Sequence, residues 1–131
     1  MKVLKFGGSS VANAENIERV VAIIREVVPP AVVVLSAMQG TTDKLLKAGK
    51  AAEQNGPYSE LLAEIAETHR AAAAALFEGE PGDLTLELDD HLSELAGLCR
   101  GVALIGELSP RTLDNILSHG ELMSTRIVSA Y

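Results

Sequence analysis

The 131-residue sequence lacks features that define several large classes of protein. Its single cysteine, Cys99, has no partner for an internal disulfide, which excludes a small secreted scaffold held together by disulfide bridges. The opening residues have too short an apolar run for a signal peptide. The longest alanine-rich apolar stretch, residues 71–77, is far below the roughly 20 residues of a membrane span. We therefore expect a soluble protein of a reducing cytoplasm.

Positive charge is also scarce. The chain has 11 basic and 18 acidic residues and a net charge of -7, which argues against a general nucleic-acid-binding role. Apolar residues make up 47% of the chain and charged residues 22%, as in ordinary globular domains. The length fits one domain, or part of one.

Two short apolar runs predict buried strands, at residues 3–6 and 31–35. Between them apolar residues recur at helical spacing, Asn13 is placed to cap the helix, and Pro29-Pro30 prevents its continuation. This strand, helix, strand order predicts a parallel pair. Ligands of parallel sheets bind at the carboxyl ends of the strands, where this chain has small and hydroxyl-bearing loops.

The remainder of the chain is predicted to be largely helical. We expect helices from near Asp43, from a cap at Ser59, along the apolar stripe that includes Cys99, from the Ser109-Pro110 pair, and from near Gly120. Residues 102–106 are compatible with either a strand or a helix, because the segment is short and apolar on all sides.

The segment Lys5-Phe6-Gly7-Gly8-Ser9-Ser10 is typical of a phosphate-binding loop. Glycines let backbone amides approach an anion closely, and a nearby lysine adds a full positive charge. The spacings of the Walker loop and of the dinucleotide-binding fingerprint are both absent. The glycines also fit a purely structural role in a tight turn.

Three motifs in order resemble the aspartokinase family: K-F-G-G-S-S-V at 5–11, V-V-V-L-S-A at 32–37 and S-H-G-E-L-M-S at 118–124. The resemblance implies an α/β amino-acid kinase fold, a three-layer αβα sandwich with a mainly parallel sheet. Residues 1–131 would be a helix-rich, N-terminal part of its catalytic domain, without the rest of that domain and without the regulatory domains. Residues 104–110 also resemble forms fused to homoserine dehydrogenase.

The resemblance implies an allosteric enzyme that transfers the γ-phosphoryl group of ATP, with Mg²⁺ bridging the phosphates, to the β-carboxylate of L-aspartate. The product is 4-phospho-L-aspartate, on the route to lysine, threonine and methionine. We expect a homo-oligomer without nucleic-acid or membrane partners, and no activity from these 131 residues alone.

On the ATP side, we expect the catalytic charge to come from Lys5, which would neutralise phosphate oxygens in the transition state. The amides of Gly7 and Gly8 would cradle the same oxygens. Ser9 and Ser10 would orient them, although either serine also suits a cap for the following turn.

On the aspartate side, Glu121 is expected at the start of the last helix, where its carboxylate would attract the α-ammonium group of the substrate. Capping of that helix is the alternative role. By resemblance, Ser36 and Thr42 line the aspartate site, with loop capping as the alternative for each.

We expect other polar residues to have structural roles. The segment Asp89-Asp90-His91 is predicted to lie on a solvated face of a helix. His119 suits helix entry or support of the site better than metal ligation. His69 is expected to be half-exposed, and Cys99 to be a packed thiol.

Two further functions remain open. Another member of the same fold would act on glutamate, acetylglutamate, carbamate or UMP, against which the segment Ser118-His119-Gly120-Glu121 argues. A non-catalytic module would hold phosphate in the glycine loop and pair its apolar helices with another subunit.

Overall fold

The computed structural model describes residues 1–79 and 81–131. Within these residues the chain forms two strands, one 3₁₀ turn and five α-helices. This content confirms the prediction of a helix-rich α/β architecture. The elements follow in the order β1 (Lys2–Phe6), 3₁₀ turn (Gly8–Val11), α1 (Ala14–Arg25), β2 (Ala31–Leu35), α2 (Thr41–Glu53), α3 (Ser59–Phe77), α4 (Gly82–Ile105) and α5 (Pro110–Ala130).

Strands β1 and β2 pair in parallel, in a register that sets Lys2 opposite Ala31 and Phe6 opposite Leu35. Phe6 and Leu35 pack against the helical core. The opposite face is open, with Val34 44% exposed. The prediction of two buried strands is therefore wrong for one face, because alternate side chains point to opposite sides and the helices cover one side.

Helices α2 to α5 pack on one another and enclose the core. Their apolar stripes recur at helical spacing, so each helix contributes side chains to one shared interior. The fully buried side chains include Leu45, Ile65, Leu95, Ile116 and Met123. No helix in the described ranges is long and apolar enough to cross a lipid bilayer.

The predicted helix boundaries are confirmed at two caps. The backbone amide of Asn16 donates to Asn13 Oδ1 at 3.0 Å, at the start of α1. The amide of Thr112 donates to Ser109 Oγ at 3.1 Å, at the start of α5. The cap predicted at Ser59 is wrong, because Ser59 is the first residue of α3 and the capping position is Tyr58.

The second half of the chain differs from expectation at two points. Residues 102–105 form the end of α4, and the next residue, Gly106, adopts a left-handed backbone conformation. The prediction of a separate final helix starting near Gly120 is wrong, because α5 runs unbroken from Pro110 to Ala130. Sequence patterns treat glycine as a helix breaker, whereas this glycine serves a tertiary contact.

The contact at Gly120 brings α5 against the end of β2 and the start of α2. A β-carbon added at Gly120 would lie 2.9 Å from Ala37 Cβ and 3.2 Å from Leu45 Cδ1. A side chain there would require the neighbouring backbone to move. One turn later, the buried Ser124 Oγ donates to the Ser36 carbonyl oxygen at 2.7 Å. These two contacts fix α5 on the β2–α2 loop.

We predict that Ser124→Ala lowers the free energy of unfolding by about 1–3 kcal/mol, because the Ser36 carbonyl loses a buried donor. Ser129→Ala is the matched control, since the exposed Ser129 Oγ donates only to the Arg126 carbonyl within the same helix. The control should change stability by less than about 0.5 kcal/mol. Chemical denaturation followed by circular dichroism compares the two variants, and equal effects would contradict the anchoring role of Ser124.

Candidate active site

Two loops meet where the parallel strands end. β1 leads through Gly7 into the 3₁₀ turn, and β2 leads through residues 36–40 into α2. The Ser36 backbone amide donates to the Phe6 carbonyl oxygen at 3.0 Å, which extends the strand pairing to the edge of both loops. Because both strands run the same way, their loops lie at one edge of the sheet, as expected for a ligand site.

Gly8 holds the two loops close together. A β-carbon at this position would lie 3.1 Å from the Ala37 carbonyl oxygen and 3.6 Å from Gln39 Cα. The first of these distances is tighter than most β-carbon contacts, so a side chain at Gly8 would require the Ala37 carbonyl group to shift by a few tenths of an ångström. Glycine therefore favours the close contact between the loops, whereas a β-carbon at Gly7 would meet nothing within 4 Å.

A cleft of about 280 Å³ opens between these loops and α5. It brings together four of the residues singled out in the sequence: Gly8, Ser36, Thr42 and Glu121. Gly8 and Glu121 are more than 100 positions apart in the chain, and the fold brings them to the same cleft. Its lining also includes Ala37, Met38, Gln39, Gly40 and Asp43.

The cleft has two electrostatic sides. On one side, α2 begins at Thr41 with Gly40 as its capping position, so the first-turn amides of Thr42 and Asp43 lack acceptors within the helix. A helix start of this kind attracts negative groups. On the other side, the carboxylate of Glu121 on α5 attracts positive groups, and the carboxylate of Asp43 adds negative charge at the start of α2 itself. This pairing suits a small zwitterion.

Glu121 reaches the cleft from the middle of α5, one residue after the close contact at Gly120. The prediction that it lies at a helix start is wrong, because α5 continues through it. Capping of the helix is thereby removed as an explanation of this carboxylate, since the macrodipole acts within the terminal turn. The exposed side chain of Glu121 is free to meet a ligand.

The other predicted residues lie outside the lining of this cleft. Lys5 is exposed on β1, opposite Val34, on the sheet face that the helices leave open. Ser9 and Ser10 line a neighbouring hollow of about 320 Å³ beside α1. The Asn16 side-chain amide donates to the Ser9 carbonyl oxygen at 3.0 Å. A 3₁₀ turn rotates each residue by about 120°, which separates the serines from Gly8.

Sequence reasoning missed three residues that shape the site. Asp43 lines the cleft from the first turn of α2. The sequence feature that could have indicated it is an acidic residue placed just after the loop at the end of a strand. Gly120 and Ser124 act by packing and by a buried hydrogen bond. Both lie within the third motif, but no local pattern shows that their partners are on another loop.

The burial predicted from the sequence is correct for Cys99 and incorrect for His69. Cys99 is buried on α4 and burial raises the pKa of its thiol, so the packed-thiol prediction is confirmed. His69 was expected to be half-exposed, and this is wrong: it is fully buried on α3. Its Nδ1 lies 2.7 Å from the Ile65 carbonyl oxygen, and burial lowers its pKa.

Residues 1–131 match the sequence model described as the amino acid kinase family. The chain is 42% identical over 134 residues to aspartokinase 2, chloroplastic, of Arabidopsis thaliana, across 98% of this chain and 24% of that protein. It is 32% identical to the bifunctional aspartokinase/homoserine dehydrogenase 1 of the same plant, across 98% of this chain and 14% of that protein. The chain therefore spans about a quarter or less of the length of these relatives.

The fold is similar to that of E. coli aspartokinase III, solved in complex with lysine and aspartate (T-state). The TM-score is 0.86 at 33% identity, over 98% of this chain and 28% of that one. The same enzyme in complex with aspartate and ADP (R-state) gives an equal score. This likeness confirms the predicted fold, and with the match over residues 1–131 it shows that the chain belongs to the amino acid kinase family, with aspartokinases among its relatives.

Proposed function

We propose that this chain is the N-terminal part of the catalytic domain of an aspartate kinase, spanning residues 1–131. The enzyme would transfer the γ-phosphoryl group of ATP to the β-carboxylate of L-aspartate and release 4-phospho-L-aspartate, an early step toward lysine, threonine and methionine. One observation carries this proposal: a single cleft joins a helix start and hydroxyl groups to the carboxylate of Glu121.

Aspartate matches both sides of that cleft. Its α-ammonium group would meet the carboxylate of Glu121. A substrate carboxylate would meet Ser36, Thr42 and the first-turn amides of α2. The E. coli enzyme with a similar fold was solved with aspartate and with ADP, which supports the same pair of ligand classes here.

The chemistry needs charge neutralisation more than proton transfer. A carboxylate is already ionised at neutral pH, so no strong base is required. The barrier comes from bringing anions together and from charge on the transferring group. Lys5 and the amides of Gly7 and Gly8 would stabilise that charge, and Ser9 and Ser10 would act from the adjoining hollow.

Mg²⁺ would supply additional neutralisation when bound to the phosphates of the nucleotide. The cleft offers oxygen donors, which Mg²⁺ prefers. Asp43 is the carboxylate that would hold the ion there, since Glu121 is assigned to the ammonium group.

Two further expectations belong to this proposal. The enzyme would act as an allosteric homo-oligomer, as the resemblance to aspartokinases implies. It would act in the cytoplasm, as the single cysteine suggests, although the similar Arabidopsis enzymes are named as chloroplastic.

The direct test traps the acyl phosphate product with hydroxylamine. The natural full-length protein should form hydroxamate from ATP and L-aspartate, and none from succinate, which lacks the ammonium group. The 131 residues alone should form none. Hydroxamate from glutamate alone would indicate another member of the fold, ATP binding without transfer would indicate a non-catalytic module, and turnover by the short chain would contradict its predicted inactivity.

We predict that Glu121→Gln in the full-length enzyme lowers kcat/KM for aspartate about 10- to 100-fold, because a charged hydrogen bond of about 1.5–3 kcal/mol is lost. The KM for ATP should change little. Asp114→Asn is the matched control, since Asp114 is an exposed acid on the same helix. Equal aspartate kinetics for the two variants would remove Glu121 from the substrate site.

Lys5→Ala should lower kcat about 10²- to 10³-fold, the usual effect of removing one preorganised electrostatic donor. The KM for aspartate should change only modestly, because the lost charge acts on phosphate oxygens. Lys2→Ala on the same strand is the control, and it should retain the normal rate. An unchanged rate in Lys5→Ala would exclude Lys5 from the mechanism, and steady-state kinetics decides between these results.

A further inference from the structure

Two histidines face each other across the α4–α5 interface, outside the cleft described above. His91 Nδ1 on α4 lies 2.9 Å from His119 Nδ1 on α5. The ring centroids are 5.1 Å apart and the ring planes meet at 74°. His91 is therefore not part of a purely solvated face, as the sequence suggested. His119 does not act in helix entry, because it lies inside α5.

A carboxylate completes the cluster. Glu94 follows His91 by three residues on α4, which places both on one side of the helix. Glu94 Oε2 lies 3.5 Å from His119 Nε2. One ligand atom from each of the three residues lies within 4.8 Å of the others. His119 is 2% exposed and Glu94 is exposed, so one residue of the cluster is held in the packed interior and another is accessible to solvent.

The nitrogens that the two rings turn toward each other are both potential metal-ligand atoms. The neutral form of imidazole is the one that ligates metals. In that form each ring has one nitrogen lone pair, and the facing Nδ1 atoms of His91 and His119 are close enough to share one ion.

The spacing is close to that of a metal chelate. Two zinc–nitrogen bonds of about 2.0–2.1 Å at a tetrahedral angle hold the nitrogens about 3.3 Å apart. Starting from 2.9 Å, the rings need to separate by only a few tenths of an ångström. Rotation of the exposed Glu94 side chain away from His119 Nε2 would bring its carboxylate toward the same point, and water would take the fourth position.

We propose that His91, Glu94 and His119 bind one divalent transition-metal ion of the Zn²⁺ type, which joins α4 to α5. The ion would hold α5 two residues before Glu121, so it would stabilise the helix that carries this carboxylate to the cleft. The site is separate from the proposed kinase chemistry, and its test does not depend on turnover.

The test uses the natural full-length protein after removal of metals with a chelator. Equilibrium dialysis with Zn²⁺ counts bound ions, and Co²⁺ titration reports tetrahedral coordination through its visible absorption. His91→Asn should abolish one bound ion per chain and the Co²⁺ absorption. Removal of a residue that only supports a metal ligand weakens metal affinity about 10- to 100-fold. Glu94→Gln removes a proposed ligand, so its Zn²⁺ affinity should fall by at least that factor.

Asp90→Asn is the matched control, because Asp90 is an exposed carboxylate beside His91 on the same helix. It should bind Zn²⁺ as the unaltered protein does. His91 and Glu94 are chosen in place of the buried His119, and circular dichroism verifies that each variant is folded. Equal Zn²⁺ binding by the unaltered protein and by folded His91→Asn would overturn the proposal. Absence of Zn²⁺ binding by the unaltered protein would also overturn it, and would reduce the pair to a hydrogen bond.

Discussion

The close approach of α5 to the end of β2 is the constraint on which the candidate site depends. Gly120 has no side chain because Ala37 and Leu45 occupy that space, and Ser124 donates a buried hydrogen bond to the Ser36 carbonyl oxygen. A larger residue at Gly120 would push the helix away from the loop. The cleft exists because these contacts bring a carboxylate on a distant helix to the edge of a two-stranded sheet.

The same packing explains why opposite charges coexist in a small space. The start of α2 presents unpaired amides, and Glu121 faces the opening from a helix interior, where the dipole of α5 contributes little. The carboxylate is therefore available to a ligand instead of being used as a cap. We propose that a site of this kind would select a molecule with both an ammonium and a carboxylate group, which is the property that the aspartate kinase proposal requires.

The sequence predicted those features that depend on local chemistry. Asn13 and Ser109 cap helices because short polar side chains satisfy free amides, and the parallel strands follow from apolar runs separated by a helix. It failed where distant contacts decide the outcome. The interior position of Gly120 and the burial of His69 depend on helices far along the chain, which no local pattern reveals. The loop motif also gave no indication that Ser9 and Gly8 line different hollows. The roles of the site residues remain predictions.

The most direct measurement is a crystal structure of the natural full-length protein with L-aspartate and a non-hydrolysable ATP analogue. We predict that the amino acid occupies the cleft beside Gly8, with its ammonium group on Glu121 and a carboxylate at the start of α2. We also predict that the terminal phosphate of the nucleotide lies against the glycine loop, near Lys5. An empty cleft, with both ligands bound elsewhere, would exclude this location of the active site.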